Sequence, residues 1–148
     1  MSLQERISQE LKAAMLAKDA ERLSALRMLK STLGYAQIER KTESLSDADV
    51  VAIVQKEVKK RRDSVEQFEK GGRPELAAKE KQEIAVLESF LPQPLSPEEL
   101  EQLVRTTIQE LGASSKKDMG PVIKSVQAKA AGRADGKTVS GIVGKLLP

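Results

Sequence analysis

Apolar residues recur at helical spacing along most of the chain. Leu3, Ile7, Leu11, Ala14 and Met15 share one face of a first helix, which Ser2 and Glu5 open with capping-box spacing and which runs to about Lys18. Asp19 is placed to cap a second helix, and its stripe of Leu23, Leu26, Leu29, Leu33 and Ala36 ends in the turn-forming run from Thr42 to Ser46. Gly34 lowers the helix preference inside that stripe. Ser46 and Asp49 start a third helix, in which Val51, Val54, Val58, Val65 and Phe68 hold one face until Gly71-Gly72. Pro74 suits the first turn of a fourth helix, looser in pattern, carrying Leu76, Ile84, Leu87 and Leu91.

The stretch Leu91-Pro92-Gln93-Pro94-Leu95-Ser96-Pro97 cannot be crossed by a helix, because each proline removes a donor and clashes with the preceding turn. A boundary is expected there. Ser96, Pro97, Glu98 and Glu99 then supply a cap, a first-turn proline and acids at the positive end of a helix dipole. Leu100, Leu103, Val104, Ile108 and Leu111 form the fifth apolar face, which Gly112 stops; Met119, Val122, Ile123, Val126 and Ala130 form the sixth, which Gly132 stops. Asp135 is placed to cap a seventh helix with Val139, Ile142, Val143, Leu146 and Leu147 inside. The pattern predicts an all-α protein: an N-terminal four-helix domain over residues 1–92, a proline hinge at 93–95, and a small C-terminal three-helix domain over 96–148.

Composition narrows the chemistry. Aromatics are 2% of the chain, so Leu, Ile, Val and Ala must fill both interiors. There are no cysteines and no histidines, which removes thiolate nucleophiles, disulfides, imidazole bases and the usual zinc ligands, and no cofactor is implied. No apolar run is long enough to cross a bilayer, and the first residues lack the apolar centre of a secretion signal, so a cytoplasmic location is expected. The net charge is only +3, but its distribution is uneven. Residues 1–95 carry 17 basic and 16 acidic side chains, whereas the segment after Gly112 carries 7 basic and 2 acidic ones. A polyanion would have to meet that local excess.

The hinge Phe90-Leu91-Pro92-Gln93-Pro94-Leu95-Ser96, together with Lys117-Asp118-Met119-Gly120 and Gly132-Arg133-Ala134-Asp135-Gly136, resembles the GatB/YqeY family across the whole chain. The C-terminal part is similar to the tail domain of the GatB component of the glutamine-dependent aminoacyl-tRNA amidotransferase. The resemblance implies an all-helical fold, an association with carbon-nitrogen ligation, and a tail that holds tRNA. Pro121, after Gly120, departs from the pattern and leaves the start of the sixth helix open between Lys116 and Asp118. The amidases of that system use a Ser-Ser-Lys arrangement, but Ser114-Ser115-Lys116 precedes a helix with its lysine adjacent, and a helix cap is the better reading. No residue is assigned a catalytic role.

Two basic groups compete for a polyanion. On the third helix, Lys56, Lys59, Lys60, Arg61 and Arg62 have Glu57, Asp63 and Glu66 at four-residue spacing, which favours ion pairs on a solvated face. Arg61 falls within the apolar stripe and is expected to snorkel along the core edge or mark where the second domain docks. After Gly112 acids are scarce, and Lys117, Lys124, Lys129, Arg133 and Lys137 are the candidate nucleic-acid-binding residues. No aromatic follows Phe90, so contact there would be with phosphate and backbone shape. The leading reading is a tRNA-binding accessory protein. The alternative is a protein-protein adaptor working through the third helix and the hinge.

Overall fold

The computed structural model describes residues Met1–Pro148 and contains seven α-helices and no strand. These are α1 (Leu3–Ala17), α2 (Ala20–Arg40), α3 (Asp47–Lys70), α4 (Pro74–Glu88), α5 (Pro97–Leu111), α6 (Met119–Ala130) and α7 (Gly136–Leu146), with a 3-10 turn at Lys116–Asp118 ahead of α6. The chain groups into two compact units, Met1–Leu91 and Pro92–Pro148. No helix is long and apolar enough to cross a membrane.

The helix starts follow from their first residues. Ser2 with Glu5, and Ser96 with Glu99, form reciprocal capping boxes, while Asp19, Ser46 and Asp135 accept from the amides of Arg22, Asp49 and Thr138. The Ser96 amide, then its hydroxyl, hold the Glu99 carboxyl below the usual carboxylate range, and the positive charge of Arg133 adds to this. Asp49 is lowered first by the Ser46 hydroxyl and then by Arg40, whose Nη1 lies 2.8 Å from Oδ1. Pro121 stands in the first turn of α6, where no intrahelical donor is needed, so the 3-10 turn and the proline coexist.

In the first unit Ile7 and Leu11 of α1, Leu26, Leu29 and Leu33 of α2, Val54 and Val58 of α3, and Ile84 and Leu87 of α4 build the core. The expected register of α3 shifts at its start: Val50, not Val51, is fully buried, because the face begins four residues before Val54. Two core residues come from outside the helices. Leu45 is buried in the α2–α3 turn, with its amide donating to Gln4 Oε1 at 3.0 Å, and Phe90 is buried just past α4 with the Arg6 guanidinium over its ring. Met15, expected inside, is exposed at the end of α1.

Arg61 does not snorkel. It is 9% exposed and pairs with Glu83, which is 7% exposed, and with Glu80 at 3.2 Å, both on α4. Ser24 Oγ donates to the other Glu83 oxygen at 3.3 Å. The apolar position thus holds a buried ion pair joining α3 to α4. Arg62 likewise reaches across to Glu88 of α4 at 3.2 Å.

The second unit packs Leu100 and Val104 of α5 against Val122 and Val126 of α6 and Val139, Val143 and Leu147 at α7. Leu111 of α5 is exposed, since the helix has passed the end of the core by its last residue. Thr107 takes a core position beside Val104, with its hydroxyl donating to the Leu103 carbonyl at 2.8 Å.

Candidate nucleic-acid interface

The basic residues after Gly112 separate by what each already holds. Lys129 lies on the α5 flank of α6, where its Nζ donates to Thr107 Oγ1 at 3.2 Å and pairs with Glu110. Arg133 is half-buried in the α6–α7 turn; its Nε donates to the Gln93 carbonyl at 2.8 Å, and its own carbonyl accepts from the Leu95 amide at 2.9 Å. These two candidates fasten α5 and the proline segment to the α6–α7 turn. Lys117, Lys124 and Lys137 are exposed and in no ion pair, and the same holds for Lys116 and Lys145, which are not among the nucleic-acid-binding candidates of the sequence.

Helical geometry decides where the free lysines point. At about 100° per residue, Met119, Val122, Val126 and Ala130 of α6 face the core, Ile123 and Gln127 form one edge, and Gly120, Lys124, Ala128 and Ala131 continue outward beyond that edge. In α7 the core face is Val139, Ile142 and Val143, the edge is Gly136, Ser140 and Gly144, and Lys137, Gly141 and Lys145 lie beyond it. The two edges meet. A Cβ at Gly136 would stand 2.8 Å from Gln127 Nε2, and one at Gly144 would stand 3.7 Å from Met119 Cε. The helices therefore run antiparallel, with Lys124 level with Val139, between Lys137 and Gly141, and Lys117 near the level of Lys145. Because the chain turns from core to shared edge to solvent in both, the two outward stripes lie on one side of the pair.

That outer face has two properties. First, its lysines are in no ion pair, and the two acids after Gly112 serve as caps, Asp118 accepting from the Ser114 and Ser115 amides at 3.0 and 3.3 Å and Asp135 from the Thr138 amide at 2.8 Å. Second, it is flat. Added methyl groups at Gly120 and Gly141 would meet nothing within 4 Å, so packing inside the unit does not require glycine there. Lysines standing over small residues let a polyanion backbone approach the helices closely. The seven-residue spacing of Lys117 and Lys124 is legible in the sequence. Lys145 escapes sequence reasoning, although Lys137, Gly141 and Lys145 at successive four-residue steps carry the same signal.

The rival run on α3 is largely engaged. Lys60 lies 3.8 Å from Glu57, Arg61 is buried, and Arg62 is paired with Glu88, so Lys56 and Lys59 remain. The expected pairs of Arg61 with Glu57 and Arg62 with Glu66 give way to partners on α4. Ser115 accepts from the Lys117 amide at 3.4 Å and forms a capping box with Asp118. No group of three His, Cys, Asp or Glu side chains able to hold a metal is present.

Comparison with known proteins gives a family and relatives. The family described as Yqey-like protein matches residues 4–147. The Kluyveromyces lactis protein named "Altered inheritance of mitochondria protein 41, mitochondrial" is 34% identical over 139 residues, 91% of this chain and 70% of that protein. A Vanderwaltozyma polyspora protein of the same name is 31% identical over 107 residues, 71% of this chain and 58% of its own length. An uncharacterized protein of Schizosaccharomyces pombe is 35% identical over 92 residues, 62% of this chain and 74% of that protein. The chain thus spans little more than half of the Vanderwaltozyma relative. The names correct one expectation: the yeast relatives are named as mitochondrial, against the cytoplasmic location read from the composition. The lack of an apolar span or apolar leader does not bear on this, because mitochondrial addresses are amphipathic and arginine-rich. With a family match over nearly the whole length and a relative similar across most of both chains, the protein belongs to the YqeY-like family.

Proposed function

We propose that this protein is a tRNA-binding accessory protein that meets folded RNA with the outer face of α6 and α7. The observation that carries the reading is the set Lys124, Lys137 and Lys145, unpaired and on one side of an acid-free helix pair, with Lys117 exposed and unpaired in the 3-10 turn ahead of it. The resemblance to the tail of the amidotransferase component supports RNA of the tRNA class as the ligand. With no aromatic in the unit, recognition is of phosphate and backbone shape, and the protein discriminates folded RNA from other polyanions by the spacing of its lysines. In this reading residues 1–92 and 96–148 are separate domains joined at 93–95, and the chain supplies binding and not amide chemistry. The adaptor reading through α3 loses ground because Arg61 and Arg62 are committed to α4.

Fluorescence anisotropy of labelled total tRNA against the full chain tests the proposal. Four phosphate contacts should give a slope of log K against log salt of about −3, hence roughly a hundredfold loss of affinity over a fourfold rise in salt. Affinity that is absent at low salt, or that does not change with salt, would overturn the proposal.

A further inference from the structure

The helix α2 shows an outward face that nothing in its unit covers. Ile38, Tyr35 and Met28 are 75%, 74% and 57% exposed, the fractions of surface side chains, although all three are large and apolar. Their spacing at residues 28, 35 and 38 puts them on one strip, opposite the buried Leu26, Leu29 and Leu33. Alongside the strip run Ser31 and Gly34, and on that flank stand Arg27, Lys30 and Lys41, none of which has an ion-pair partner. Gly34 is mid-helix, and a Cβ there would meet nothing within 4 Å. The fold therefore gains nothing inside the unit from a residue that weakens the helix.

We infer that α2 is a docking surface for an acidic amphipathic helix of a protein partner. The apolar strip takes the partner's apolar stripe, Ser31 and Gly34 admit it at short range, and Arg27, Lys30 and Lys41 meet carboxylates along its flank. Charge favours this occupant over an antiparallel second copy of the chain. Two α2 faces paired antiparallel would bring Arg27, Lys30 and Lys41 from both copies together, because the acids of the strip, Glu21 and Glu39, lie on its opposite edge. It also separates this surface from the lysine face of α6 and α7, which has no large exposed apolar side chain. The inference does not depend on RNA binding.

The test is an NMR titration of the full chain with a synthetic helical peptide bearing leucines at heptad a and d positions and glutamates beside them. A second peptide with lysines in place of the glutamates is the control. The acidic peptide is expected to move the amide resonances of Met28, Ser31, Tyr35 and Ile38, and the basic one is not. Ile38→Gln and Gly34→Gln should each weaken binding about tenfold or more. Gly34→Gln also favours the helix, so its thermal midpoint should not fall and lost binding cannot be ascribed to unfolding. Arg27→Glu with Lys30→Glu should reverse the preference between the peptides. Four results would each overturn the inference: no perturbation at millimolar peptide, equal binding of both peptides, perturbation of this face by a single-stranded RNA oligonucleotide but not by the acidic peptide, or concentration-dependent shifts of the same resonances without peptide, which would mean self-association.

Discussion

Arg61→Ala is expected to destabilise the protein by about 3–5 kcal/mol, among the largest losses that removing any single charge would produce here. The substitution leaves Glu83 buried with only the Ser24 hydroxyl as partner. Glu83→Ala should cost less, because Glu80, at 3.2 Å and partly solvated, keeps Arg61 paired. Urea unfolding of the two variants measures the difference. The double replacement Arg61→Met with Glu83→Leu should lie near wild type or above it, since apolar groups of similar size remove the desolvation cost along with the pair. A double variant as unstable as Arg61→Ala would show that the pair itself, and not the orphaned charge, matters for stability.

This cluster marks the limit of what local sequence patterns reveal. The period of the apolar residues is enough to place seven helices, because caps such as Ser2, Ser96 and Asp135 and stops such as Gly112 act within four residues and are visible locally. Arg61 stands out in an apolar stripe, but its partners Glu80 and Glu83 lie 19 and 22 residues away, and no local rule links them. Phe90 and Leu45 escape detection as core residues because they lie in loops, outside any periodic pattern. Lys18 and Lys41 end α1 and α2 with positive φ of 55° and 54°, a role the sequence does not advertise in a lysine. For the candidate interface, the scarcity of acids after Gly112 is legible, whereas the commitment of Lys129 to Glu110 and of Arg133 to Gln93 depends on tertiary contacts.

Reversing the four lysines of the outer face, Lys117→Glu, Lys124→Glu, Lys137→Glu and Lys145→Glu together, is expected to weaken tRNA binding by at least roughly a hundredfold and to bring the salt slope close to zero. The loss should be similar across tRNA species, since phosphate contacts carry no sequence information. All four side chains are exposed, so circular dichroism and thermal unfolding should remain close to wild type. The matched control, Lys56→Glu with Lys59→Glu on α3, removes the free cations of the rival run and should change affinity by no more than about twofold. Binding lost in the control and retained in the fourfold variant would move the site to α3.

The most direct measurement is a lysine footprint: amine acetylation of the full chain with and without saturating tRNA, read residue by residue by mass spectrometry. The expected result is protection of Lys117, Lys124, Lys137 and Lys145, with Lys56 and Lys59 modified at the same rate in both states. Protection confined to α3, or no change at the α6–α7 lysines while RNA is demonstrably bound, would contradict the assignment of the interface.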